Sequence, residues 1–211
     1  ASTCCPEGIG YAMSDSPTGP WKSMGHIMDR TWRTRGNHPG IIEYKGQSYV
    51  FGLNYDLMHL ETFRHHERRS VSVAPMYYNE DGSIAKVPYW LDNELEQVGS
   101  FDPFRKVEAE TMAWGYGLKT REIKAMDAIY INDIDDGEYL MIRGADFGKG
   151  ASSLEACVWG KSNCSVEVRL DSVDGPLCGT LKIAPDNGFR SIKCALKGAR
   201  GKHDLYFVFR G

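Results

Sequence analysis

The chain has 211 residues, 42% of them hydrophobic and 25% charged, with a net charge of -3 and no long basic run. That balance offers no electrostatic footprint for nucleic acid or for an anionic membrane surface. The longest apolar runs are a handful of residues, far short of the ~20 a membrane-spanning helix needs, and the length suits one large β domain or two smaller ones.

The first residues, ASTCCPEG, carry neither Met nor a charged leader, so the N-terminus is expected to be cut. Strand signals then follow one another: Gly8 to Ser14, Trp21 to Met28, Gly40 to Tyr44, Gln47 to Asn54 and Ser70 to Tyr78, short and rich in β-branched and aromatic residues. Turn chemistry separates them at Ser16-Pro17-Thr18-Gly19-Pro20, Lys45-Gly46 and Asn79-Glu80-Asp81-Gly82. No stretch holds a 3.6-residue period long enough for a helix, and the first hundred residues read as a β-meander. Four or five such strands in one sheet leave two faces and two edges open. Radial packing against sister sheets, as in a propeller, covers them, and the missing neighbours are expected upstream of Ala1.

The run Phe63-Arg64-His65-His66-Glu67-Arg68-Arg69 invites a metal or phosphate reading, but adjacent histidines point to opposite faces of an extended chain, and a solvated charged loop is expected. Trp90 to Phe104 loses the alternation and reads as a linker, which divides the chain into 1–104 and 105–211.

From Val107 the strand pattern resets, with Val107 to Glu110 expected as an opening strand. Ala128 to Gly148 then sets an acidic turn (Asp133, Asp135, Asp136, Gly137) between two runs of β-formers, the pattern of a strand pair. Acids beside aromatics suit a polyhydroxylated ligand, since carboxylates accept hydroxyl hydrogen bonds and aromatic faces stack on sugar rings; a solvated turn is the alternative. Val166, Val168 and Leu170 alternate with Glu167, Arg169 and Asp171 as a half-buried strand, and Leu205, Phe207 and Phe209 repeat the pattern. About nine strands in roughly 105 residues imply a jelly-roll β-sandwich. The fold class is all-β, a partial propeller followed by a sandwich.

Six cysteines at 4, 5, 157, 164, 178 and 194 make no zinc spacing. Cys157 and Cys164 flank an expected hairpin loop; free thiols acting as small hydrophobes are expected, with a 157–164 bridge the alternative.

The elements PEGIGYA at 6–12, SDSPTGPW at 14–21, NHPGI at 37–41, RRSV at 68–71 and YNEDG at 78–82 resemble the last part of the catalytic domain of glycoside hydrolase family 43. The resemblance implies the closing blade of a five-bladed propeller that hydrolyses arabinofuranosyl or xylosyl linkages with inversion. No segment here matches the family's base, modulating or acid motifs. It also implies that His38 faces the propeller channel near a metal or ordered water, where the residues alone would make it a turn cap before Pro39. Ala74-Pro75 departs from the family pattern of acidic residues after this strand.

The second half, through DIDDGEYLMIRGADFG at 133–148, VEVRLDS at 166–172 and HDLYFVF at 203–209, resembles carbohydrate-binding module family 6. That implies a structural Ca²⁺ held partly by Glu108 and Glu110, the last acidic ligand expected beyond Gly211. It also implies an edge cleft in which two aromatics clamp a sugar, besides a concave-face site. Phe189 stands where Trp is usual; Asp133 stands where Tyr is usual, so that one wall of the clamp is missing or comes from Tyr130; the terminal Asn is absent. Trp114, Tyr116 and Trp159 are assigned to core or hairpin packing. The expected partners are xylan, arabinoxylan or their oligosaccharides, and the expected location is secreted, periplasmic or cell-surface. A non-catalytic carbohydrate-binding or adhesion protein is the alternative.

Overall fold

The structure, a computed structural model, describes residues 7–33, 37–55, 70–93, 95–124 and 127–211. Cys4, Cys5 and the 63–69 run lie outside these residues. The chain forms two compact units, Ala1–Glu96 and Gln97–Gly211.

In the first unit β1 (Glu7–Met13) pairs antiparallel with β2 (Lys22–Thr31), while β3 (Gly40–Tyr44), β4 (Gln47–Asn54) and β5 (Ser70–Met76) form a three-stranded antiparallel meander. The β3–β4 turn is two residues, Lys45 and Gly46, both with positive φ (51° and 80°), a combination whose twist matches the flanking strands. The expected single sheet is therefore two. A tight turn joins β3 to β4, and the edge of β2 is engaged elsewhere, by the Val87 N–H on the Ile27 carbonyl (2.7 Å). Ile9, Ile27, Met28, Val50, Ala74, Met76, Val87 and Trp90 bury together as the core.

The second unit holds nine strands among the described residues: β6 (Trp114–Tyr116), β7 (Lys119–Ile123), β8 (Ala128–Asn132), β9 (Tyr139–Asp146), β10 (Ser153–Val158), β11 (Cys164–Leu170), β12 (Leu177–Ile183), β13 (Arg190–Ala195) and β14 (Lys202–Arg210). A five-stranded sheet runs β12-β11-β14-β9-β6, and β10-β13 and β7-β8 are separate antiparallel pairs. Leu140, Ile142, Val168, Leu170 and Leu205 from the large sheet bury against Cys178, Leu196 and Ala199, with Leu118, Ile131, Leu154 and Cys194 packed on them. This is a β-sandwich, and its alternation is the one written in the sequence.

Four expectations change here. The two runs around the acidic turn are strands but not a pair: β8 hydrogen-bonds to β7, and β9 to β14 and β6. Val107 to Glu110 is not a strand, because a 3₁₀ turn occupies Ala109–Thr111 and the Thr111 hydroxyl donates to the Glu108 carbonyl (2.7 Å). Cys157 and Cys164 do not flank a hairpin, since β10 pairs with β13 while β11 pairs with β12 and β14; both are free thiols, as are Cys178 and Cys194. Finally, 97–104 belongs with the second unit. Phe101 forms a parallel bridge to Ala145, donating to the Gly144 carbonyl and accepting from the Asp146 N–H, both at 2.9 Å.

Candidate functional site

Three aromatic rings meet at one edge of the second unit. Tyr130 comes from β8, Trp159 from the loop after β10, and Phe189 from the loop before β13. Alternation in β10 turns Leu154, Ala156 and Val158 inward onto the sandwich, so Trp159 follows at the sheet's rim. There its indole N–H donates to the Asp186 carbonyl (2.8 Å), which ties the loop of residues 159–161 to the loop carrying Phe189. The Asp186 N–H bonds back to the Gly160 carbonyl (3.0 Å), and the Asp186 carboxylate pairs with Arg190 (3.3 Å).

Phe189 sits between the other two rings. Its centroid is 5.2 Å from Tyr130 at 79° and 5.9 Å from Trp159 at 63°, edge-to-face in both cases. Phe189 stays 40% exposed and Trp159 42%, and the Lys161 ammonium lies 5.9 Å from the Trp159 ring. Apolar rings held by one another yet open to water form a rigid surface that stacks on the C–H faces of a sugar. The sequence reading set Trp159 aside as core or hairpin packing, but no hairpin joins β10 to β11. The Trp159 N–H does lock a loop, but its face is part of this cluster. The available signal was its place immediately beyond an alternating strand and before Gly160.

The remaining expected residues lie as follows. Asp133 is exposed, in the left-handed region (φ 53°), with the Asn132 amide donating to its carboxylate at 2.5 Å. His38 is exposed, whereas its neighbour Asn37 is buried and bonded through its N–H to Glu7 Oε2 (2.8 Å). Glu108 pairs with Lys106 (3.0 Å) just before the 3₁₀ turn that contains Glu110. Calcium takes six to eight oxygens. Among the described residues no group of three or more His, Cys, Asp or Glu side chains is placed to hold a metal ion.

A second surface lies on the outer face of the five-stranded sheet. Tyr116, Tyr139 and Tyr206 form a ladder across β6, β9 and β14, successive centroids 5.8 Å apart. Burial, then the nearby Asp204 carboxylate, pushes the Tyr206 phenol up, so it stays a neutral hydrogen-bonding group. Trp114 and Tyr116, also read as packing residues, are 37% and 52% exposed on this unit.

Comparison with known proteins agrees with both halves. Residues 108–211 match the family model of the carbohydrate binding module (family 6). An arabinoxylan arabinofuranohydrolase of Paenibacillus polymyxa is 31% identical over 215 residues, covering 96% of this chain and 34% of that protein. The crystal structure of a glycoside hydrolase family 43 arabinoxylan arabinofuranohydrolase from Bacillus subtilis, in complex with cellotetraose, superposes with a TM-score of 0.86 at 31% identity, covering 100% of this chain and 46% of that one. A family 6 carbohydrate-binding module from Clostridium cellulolyticum, in complex with xylose, superposes with a TM-score of 0.50 at 30% identity, covering 53% of this chain and 88% of that one. The chain thus spans between a third and a half of the length of the two arabinofuranohydrolases.

Proposed function

From a chain that belongs, through residues 108–211, to carbohydrate-binding module family 6, and that matches family 43 arabinoxylan arabinofuranohydrolases along its length, we propose a role in hemicellulose breakdown. The second unit holds xylan or arabinoxylan, in the service of hydrolysis of arabinofuranosyl or xylosyl bonds. The observation that carries this reading is the Tyr130–Phe189–Trp159 cluster at the edge of the sandwich, in which Phe189 and Trp159 are exposed.

Each stacked ring contributes about 1 kcal/mol, so a site built on one main ring binds a short oligosaccharide at roughly millimolar Kd. Such weak contacts gain effect on a polymer, where many equivalent positions raise the local concentration of cleavable bonds. An inverting glycosidase needs two carboxylates roughly 6.5 to 9.5 Å apart, and this reading assigns neither role to a residue of 1–211. A polymeric substrate of this kind supports a secreted, periplasmic or cell-surface location for the whole protein.

Affinity electrophoresis tests the reading. The full chain is retarded in gels containing arabinoxylan or xylan relative to plain gels, and Phe189→Ala reduces the retardation. Equal mobility of the native chain with and without polysaccharide would falsify it.

A further inference from the structure

The tyrosine ladder does not end in a neutral surface. Strand register places Tyr116 opposite Tyr139, Tyr139 opposite Val208, and Val208 opposite Glu167. Val208 is fully buried (0%), so neighbouring side chains already close over it, and this floor is a filled stretch of the face between the Tyr139 ring and the Glu167 carboxylate. Two strand spacings, roughly 10 Å in all, carry the face from the strand of Tyr139 to that of Glu167.

On the far side of the floor Glu167 Oε2 accepts from two guanidiniums, Arg169 Nε at 3.0 Å and Arg210 Nε at 3.2 Å. One carboxylate against two arginines leaves one positive charge unbalanced. Arg169 spends a second nitrogen on the Gly175 carbonyl (2.8 Å). Arg210 is 38% exposed and meets Glu167 through Nε, which leaves its paired terminal nitrogens for a ligand. Arginine's planar fork suits a carboxylate.

Two further cations lie on this face. Alternation along β9 puts Arg143 on the same side as Tyr139, and Lys182, opposite Ser165, shares the row of Arg210. The acids near it keep their charge: Asp204, accepting from the Gly144 N–H (2.7 Å), and Asp171, beside the His203 ring (2.9 Å), both act on Tyr206, so the cationic end of the face is the one at Glu167, Arg169 and Arg210.

We propose that this face selects acidic xylan, the tyrosines stacking sugar rings while Arg210 takes the carboxylate of a uronic acid substituent. The inference rests on reading the second unit as glycan-binding, and adds to it the charge class of the glycan.

Isothermal titration of the full chain with glucuronic acid-bearing xylan, and with the same polymer after its carboxyl groups are reduced to alcohols, separates the two readings. The acidic polymer binds about three- to fivefold more tightly, the scale of one exposed ion pair. Arg210→Gln and high salt each close that gap, Arg210→Lys keeps part of it, and Tyr139→Ala weakens binding to both polymers. Equal affinity of the native chain for the two polymers overturns the charge preference alone. So does a gap that survives in folded Arg210→Gln, or in high salt should that variant not fold. Equally tight binding of a sulfated dextran makes this a general anion surface and overturns the uronate assignment. No binding to either xylan overturns the glycan reading itself.

Discussion

The Tyr130 ring meets Phe189 nearly at right angles, centroids 5.2 Å apart, so the two make a corner and not a slot. A sugar sandwiched between parallel rings needs two carbon contacts end to end, roughly 7 to 8 Å. Stacking at this edge therefore uses the open face of Phe189, with Tyr130 and Trp159 holding that ring in place. Phe189→Ala lowers xylan affinity about fivefold, one ring's worth, while Phe189→Trp raises it by enlarging the face. Because Phe189 is 40% exposed, neither change moves the melting temperature by more than about 2 °C. Calorimetric titration and thermal melts check both halves, and an undiminished affinity in Phe189→Ala would remove this ring from the site.

Asp133 explains why no aromatic stands in its place. Its φ of 53° lies in the left-handed region, which Asp and Asn tolerate because a short polar side chain bonds locally. Asp133→Asn leaves stability within about 0.5 kcal/mol, whereas Asp133→Tyr costs about 1 to 2 kcal/mol by forcing a bulky residue into that conformation. Urea unfolding of the two variants decides. An Asp133→Tyr variant as stable as the native protein would show that the turn relaxes, and that the second clamp wall can simply be restored.

Phe101 is worth as much to the second unit as a core residue. It donates to Gly144 and accepts from Asp146, both at 2.9 Å; its ring packs on the sandwich core, and the Gln97 amide donates to the Arg143 carbonyl (2.9 Å). Starting the module at Arg105 removes all of this. A 105–211 fragment melts at least about 10 °C below a 97–211 fragment, from about 2 to 3 kcal/mol of lost backbone bonds and buried ring. Equal melting temperatures would return 97–104 to the role of linker.

Phe101 also shows what the sequence leaves unsaid. The strands of 40–54 were legible to the residue because a two-residue turn, Lys45-Gly46, fixes their register locally. β11 was legible because one face is buried, Val166, Val168 and Leu170, so alternation had to appear in its side chains, whereas in central β14 Leu205 and Val208 are buried on opposite faces. Pairing over long separations leaves no such mark. That β8 joins β7 while β9 joins β14, or that 97–104 adds itself alongside β9, is decided by which edges are free in the folded sheet. The edge site was half legible for the same reason. Phe189 and Tyr130 carry a recognisable context, but Trp159 gains its place only because Asp186, 27 residues later, accepts its N–H.

Arg169 beside Glu167 holds that carboxyl below the usual glutamate range, with Arg210 adding to the effect. A depressed native pKa means stabilisation present at neutral pH that is lost as pH falls below the unfolded value, about 4.3, towards the native one. The stability difference between the native chain and Glu167→Gln is therefore largest at pH 6 to 7 and shrinks below about pH 4. Denaturant melts of both proteins across this range measure it. A difference that is flat with pH would mean the two arginines are held by packing and not by the carboxylate.

Calcium gives the last test, and here the donors decide the direction. Glu108 is committed to Lys106 at 3.0 Å, and Glu110 belongs to a 3₁₀ turn, so the two do not face one side of a strand as alternate residues would. Two carboxylates, one of them already paired, supply too few oxygens by themselves to bind a hard ion with a Kd better than millimolar. Ligand linkage at a concentration equal to Kd adds only about 0.4 kcal/mol. About 1 mM CaCl₂ should then raise the melting temperature of the chain by less than about 3 °C, and EDTA should leave xylan affinity unchanged. A rise of 10 °C or more would mean that other oxygens, backbone carbonyls among them, complete a site around these two residues. In that case Glu110→Gln would abolish the rise without altering the calcium-free melting temperature.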